Sequence, residues 1–395
     1  MTTPLMAQTP PHNPIPDIPS YSPGLEGVIA GESALCLVDE GDRGLRYRGY
    51  AVTELAEQSS FEEVAFLLLH GKLPTQQELE EFRAHLQQTR TYPDLVDTLL
   101  RAMPPTAHPM DILRSAVSLL GILDPEANDH AHLSNMRKAV RLLGQVPLIT
   151  GRAYQLMHGK QGGQPDSSMS TAETLLVLLT DRKPDDAVFT MMARVLDVSL
   201  ILYAEHELNA STFAARVAAS TLTDLYGAIT AAIATLKGPL HGGANEAVAR
   251  MFIEIGSQDR AEEWVHNALK RKQRIMGFGH RVLKKGDIRS AIIKRHAEQL
   301  SNICGDTRWF NIATTVDRIM QEEKGLHPNL DFYTAVVYLL MGIPQDWYTP
   351  VFVCSRLSGW CAHVIEQQDH NRLIRPRALY TGPPPQSYVP IDQRH

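Results

Sequence analysis

Over most of the chain, apolar residues recur at the spacing of one face of an α-helix, three or four residues apart, rather than alternating as in a strand. Ser60 followed by Glu63 reads as a capping box opening a helix over Phe61–His70, and Gly71 with Pro74 closes it. Thr75 with Glu78 starts the next helix, whose Leu79, Phe82 and Leu86 share one face. After Pro184, positions 187–204 are apolar on most sides, which places this helix deep in a core and delivers the chain to His206. Residues 27–48 break the pattern. They mix β-branched and small residues with turn-forming Glu, Gly and Asp, and predict a short β-hairpin near the N-terminus. The fold class is all-α.

Length then divides the helices. At 395 residues the chain exceeds one ordinary helical core, so one large domain with a companion, or two domains, is expected. Residues 243–342 are richer in Lys, Arg and polar helix starts than what precedes them, and read as a small mobile domain; 26–242 with 343–395 make the large helical domain. Residues 1–25 hold seven prolines and read as a disordered tail. No Lys or Arg occurs before Arg43, which excludes the basic start of a signal peptide and an Arg-rich transit peptide, so a cytoplasmic protein is expected.

Composition removes several function classes. With 44% hydrophobic and 21% charged residues the chain is typical of soluble globular proteins, and the apolar run 332–343 is too short to span a membrane. A net charge of −6 with no Lys/Arg stripe argues against nucleic acid, so an anionic ligand must be bound by local arginines. Cys36, Cys304, Cys354 and Cys361 are scattered without a C-x-x-C pair and read as reduced thiols, mostly in the core. There is no P-loop, G-x-G-x-x-G, heptad array or internal repeat.

Three histidines stand at expected helix breaks: His206 in HELNAST, His241 in GPLHGGANE and His280 in MGFGHRV. Backbone there can approach a ligand, and glycine or proline flanks two of the three. Zinc fits poorly, because no H-E-x-x-H occurs and the residue four after His206 is Ala210. A serine hydrolase fits no better, since no G-x-S-x-G elbow is present. Asp331, in HPNLDFYTA before an apolar helix, reads either as an N-cap or as a general base whose pKa is raised by Leu330 and Phe332. Arg289, Arg356 and Arg375 supply guanidinium forks suited to a small dicarboxylate.

In their order along the chain, SSFEEVAFLLLHGKL (59–73), HELNASTFAARV (206–217), GPLHGGANEA (238–247), MGFGHRVLKKGDIR (276–289), HPNLDFY (327–333), SRLSGW (355–360) and RLIRPRA (372–378) resemble the citrate synthase family, from about residue 27 to 385. The resemblance implies the citrate synthase fold, a homodimer, and condensation of oxaloacetate with acetyl-CoA, the entry reaction of the tricarboxylic acid cycle, with acetyl-CoA a co-substrate and no cofactor or metal. It further implies that His206 contacts oxaloacetate, His241 hydrogen-bonds the thioester oxygen, and His280 polarises the keto oxygen. Asp331 removes the methyl proton, Arg289 and Arg356 clamp the carboxylates, Arg375 reaches in from the partner subunit, and Lys284 faces the CoA phosphates. Where the family often has Tyr-Lys-x-x-Asp-Pro-Arg after the third histidine, this chain has Leu283, Gly286 and Ile288 at the tyrosine, a variable position and the proline. Ile288 cannot fix the backbone as proline does, which leaves the choice between acetyl and propionyl groups, and so 2-methylcitrate synthase, open. No extra β-domain precedes the matching region, an expectation that points away from the hexameric, NADH-inhibited form.

Overall fold

A computed structural model describes residues 21–39, 44–160, 165–279 and 286–394. The reading of residues 1–25 as a disordered tail falls almost wholly outside these. Contacts group the chain into two units: Ser33–Ile374, which holds the helical core, and Arg375–His395 with the N-terminal residues up to Glu32.

The expected hairpin is a small antiparallel sheet of three short strands, β1 (Cys36–Val38), β2 (Leu45–Tyr47) and β3 (Tyr50–Ala51), with Cys36 opposite Tyr47 and Tyr47 opposite Tyr50. The third strand escapes a sequence reading because two residues cannot display a period of two. From there the described residues are helical: α1 (Val52–Gln58), α2 (Phe61–His70), α3 (Gln76–Gln88), α4 (Asp94–Ala102), α5 (Pro109–Leu123), α6 (His132–Met157), α7 (Thr171–Leu179) and α8 (Phe189–Tyr203). Eight more follow: α9 (Ala210–Ser220), α10 (Leu225–Leu236), α11 (Ala244–Ile255), α12 (Gln258–Lys270), α13 (Ile288–Cys304), α14 (Arg308–Lys324), α15 (Leu330–Met341) and α16 (Tyr348–Asp369).

Local chemistry sets the boundaries. Both expected capping boxes form, with Ser60 and Thr75 each accepting from the backbone of the glutamate three residues on, and Gly71 ends α2 in the left-handed conformation. A third box, Ser170 with Glu173, opens α7. The 187–204 pattern is α8, buried on nearly every side. α16 is also buried along almost its whole length and packs against α2, α6, α8, α9 and α10. Within the described residues no helix is long and apolar enough to cross a membrane. Cys354 and Cys361 are buried, Cys36 and Cys304 partly so, and all four are free thiols.

Candidate active site

Three chain breaks and one central helix bring the chemistry together. His206 follows α8 in a turn where Glu207 takes φ 53°, and it is buried. His241 sits in the loop between α10 and α11, which the backbone bonds of His241 N–H to Gly238 O (2.9 Å) and Gly242 N–H to Leu236 O (2.9 Å) fold tightly. A side chain at Gly242 would meet the Leu236 carbonyl at 2.6 Å, so glycine is required there. Asp331 lies in the first turn of α15, and Arg356 in the middle of α16.

The helix cap at Asp331 goes to a neighbour. Asn329 accepts from the Asp331 N–H at 3.1 Å, which leaves the Asp331 carboxylate free to face inward. There it accepts the Tyr203 hydroxyl at 2.6 Å. Burial raises its pKa to about 6, while the Tyr203 hydrogen bond and the charges of Arg289 and Arg356 pull it down. Tyr203 serves a second residue as well, for its carbonyl accepts from Arg356 Nε at 2.6 Å.

His241 is held in a defined tautomer. The backbone N–H of Ser211 points at its Nε2 from 3.3 Å, and since a backbone amide can only donate, Nε2 carries the lone pair and Nδ1 the proton. The Ser211 hydroxyl lies 2.8 Å from the same nitrogen and accepts from Trp360 Nε1 at 3.2 Å. Burial, assisted by the positive charge of Arg356, pushes the imidazole pKa down to about 4, so the ring is neutral in ordinary buffers.

The Phe352 ring is the hub of the group. Its centroid lies 4.2 Å from Tyr203, 6.5 Å from His241 and 4.8 Å below the Arg356 guanidinium. Arg356 is 2% exposed, and its Nη1 has no hydrogen-bond partner among the described residues. Arg289, at the start of α13, forms a two-pronged pair with Asp287, Nε to Oδ1 at 2.9 Å and Nη2 to Oδ2 at 2.8 Å. Asp287 also accepts from the Leu330 N–H at 3.1 Å, which ties this arginine to the start of the Asp331 helix.

His280 and Lys284 lie outside the described residues. The segment leading to His280 is nonetheless fastened beside Asp331: Asn329 N–H donates to Gly277 O (2.9 Å), Gly279 N–H to His327 O (3.1 Å), and Asn329 Nδ2 to Gly279 O (3.1 Å). Gly277 has φ +85°, and a Cβ there would meet Phe332 and Val248 at 2.8 Å. Arg375 is exposed and belongs to the other unit. The structure therefore gathers Tyr203, His241 and Arg356 around Phe352, joins Asp331 to them through the Tyr203 hydroxyl, links Arg289 to the Asp331 helix, and sets His206 three residues after Tyr203. Sequence reading misses Tyr203, Ser211, Phe352 and Trp360. Among the described residues no cluster of three or more His, Cys, Asp or Glu is arranged to hold a metal ion. A cavity of about 270 Å³ lined by Glu62, Arg83, Arg90, Ser168 and Glu173 shares no residue with this group.

Comparisons with known proteins point to one family. The family described as "Citrate synthase, C-terminal domain" matches residues 24–377. Citrate synthase 2 of Bacillus subtilis is 44% identical over 372 residues, covering 94% of this chain and 98% of that protein. The citrate/2-methylcitrate synthase of the same organism is 43% identical over 92% of this chain and 97% of its own. A solved citrate synthase from Thermoplasma acidophilum, in a ternary complex with carboxymethyl coenzyme A and oxaloacetate, superposes with a TM-score of 0.87 at 37% identity, covering 95% of this chain and 100% of that one. This chain belongs to the citrate synthase family.

Proposed function

We propose that His241, His280 and Asp331 carry out the reaction in which this enzyme condenses oxaloacetate with acetyl-CoA and water to give citrate and CoA. A thioester methyl proton is too weakly acidic for a carboxylate alone, so proton removal must be coupled to a donor at the developing enolate oxygen. The observation that carries the reading is the pairing of Asp331, a carboxylate with its pKa raised to about 6, with His241, a neutral imidazole at about 4 presenting Nδ1–H. Asp331 is ionised at neutral pH yet a stronger base than an ordinary carboxylate. His241 donates its Nδ1–H to the thioester oxygen as a neutral imidazole. The enol then attacks the keto carbon of oxaloacetate, whose oxygen His280 polarises, and citryl-CoA is hydrolysed to citrate and CoA.

His206, Arg289 and Arg356 bind oxaloacetate, and the unpartnered Arg356 Nη1 is suited to one of its carboxylates. Lys284 faces the CoA phosphates, and Arg375 enters the site from the partner of a homodimer. Residues 243–342, which contribute His280, Arg289 and Asp331, act as a small domain that closes over oxaloacetate and keeps water from acetyl-CoA until condensation has occurred. The scheme calls for no metal or cofactor, since CoA arrives as a co-substrate. The test is release of free CoA from acetyl-CoA and, separately, propionyl-CoA in the presence of oxaloacetate. A kcat/KM higher with propionyl-CoA would make the enzyme a 2-methylcitrate synthase, and no release from either would refute the assignment.

A further inference from the structure

Behind Arg356 runs a buried polar chain that the reaction does not use. Glu205, the residue before His206, is fully buried, as is His363 on α16. His363 Nε2 lies 3.0 Å from Glu205 Oε1, and its Nδ1 lies 3.0 Å from Arg216 Nη1. A guanidinium can only donate, so Nδ1 accepts and the proton sits on Nε2, which donates to Glu205. Arg216 is itself fixed by Glu366 (Nη1 to Oε2, 2.6 Å) and Gln367 (Nε to Oε1, 3.2 Å). The tautomer of His363 is thus set from the far end of the chain.

At the near end a bond is left unmade. Glu205 Oε2 and Arg356 Nη1 are both buried without partners among the described residues, although Glu205 is the foremost negative charge acting on Arg356. Two such groups in a dry interior attract strongly and gain by closing into an ion pair. The structure holds them apart. Glu205 is drawn back by His363, and its free oxygen rests against Gly359, where a Cβ would meet it at 2.2 Å. We infer that His363, backed by Arg216, is a positioning residue that restrains Glu205 from pairing with Arg356, so that Nη1 stays open for the substrate carboxylate. The inference rests on the reading of Arg356 as part of the oxaloacetate site.

The restraint makes a prediction that mere structural support does not. In His363→Asn the shorter side chain still offers an oxygen to Arg216 but cannot reach Glu205. The released carboxylate then competes with oxaloacetate for Arg356. KM for oxaloacetate should rise about tenfold or more while KM for acetyl-CoA stays within about twofold. Adding Glu205→Gln removes the competing charge, and the double variant should return to within about threefold of wild type. Glu205→Gln alone, which keeps an acceptor for His363, should lower KM for oxaloacetate about twofold or more, and it tests the inference even where His363→Asn fails to fold. An unchanged KM in His363→Asn, a double variant worse than the single, or a raised KM in Glu205→Gln would each overturn the restraint. Wild type that neither binds nor turns over oxaloacetate would instead overturn the underlying reading of the site.

Discussion

Replacing Tyr203 with phenylalanine isolates what sets the strength of the base. The substitution removes the hydroxyl that donates to Asp331 at 2.6 Å but leaves the Tyr203 carbonyl, and with it the bond from Arg356 Nε, in place. A hydrogen bond to a charged group is worth about 1.5–3 kcal/mol, and about 1.4 kcal/mol corresponds to one pKa unit. Burial then acts with less opposition, and the Asp331 pKa should climb from about 6 by roughly one to two units. The sign follows from which form the hydroxyl favours: it stabilises the carboxylate, so its loss favours the acid. Near neutral pH the ionised fraction falls from about nine tenths to between about a half and a tenth, and activity falls with it. Measured as CoA release over a range of pH, the acidic limb of kcat/KM for acetyl-CoA should move up by one to two units, with activity largely recovered in alkali. His241 does not confuse this limb, because its pKa lies down at about 4. KM for oxaloacetate should stay within about twofold. A limb that does not move, or a loss equal at every pH, would refute the claim that Tyr203 tunes Asp331.

Asp331→Asn and His241→Ala should each lower kcat by about 10²–10⁴-fold with little change in oxaloacetate affinity by calorimetry; either variant keeping half of wild-type turnover would remove that residue from the mechanism. A heterodimer of one Arg375→Ala and one Asp331→Asn subunit should keep about half of wild-type activity while the Arg375→Ala homodimer is impaired, since both lesions fall in one site if the arginine crosses the interface; no recovery would assign Arg375 to its own subunit, and a fully active Arg375→Ala homodimer would remove it from the site. Saturating oxaloacetate should reduce the radius of gyration in small-angle scattering, and an unchanged profile would count against closure of residues 243–342.

How much of this was legible in the sequence depended on whether the signal was local. Ser60–Glu63 and Thr75–Glu78 announce their helices because cap and partner lie three residues apart. His206 and His241 are legible because glycine, proline or a polar run interrupts the helical period beside them. Asp331 was legible only as an ambiguity: Asn329 and Asp331 both precede or open the apolar run, and the structure gives the cap to Asn329. The supporting residues depend on which helices meet. Tyr203 and Phe352 sit inside apolar stretches, where an aromatic reads as core, and their roles come from α8 and α16 crossing beside α15. One further signal lies in the spacing along α16. Arg356, Trp360, His363 and Gln367 recur at steps of four, three and four along a buried helix, and such a stripe of polar groups demands partners.

The burial of α16 also determines how long the site's geometry lasts. A helix with solvent on one face can fray or reorient by local opening, on the order of microseconds to milliseconds. α16 is enclosed by α2, α6, α8, α9 and α10, so exposing its amides requires dismantling the core around it. Its hydrogen exchange therefore reports global unfolding rather than local breathing. Arg356, Trp360 and His363 form a fixed frame against which a substrate or moving segment is registered, with a lifetime equal to that of the fold.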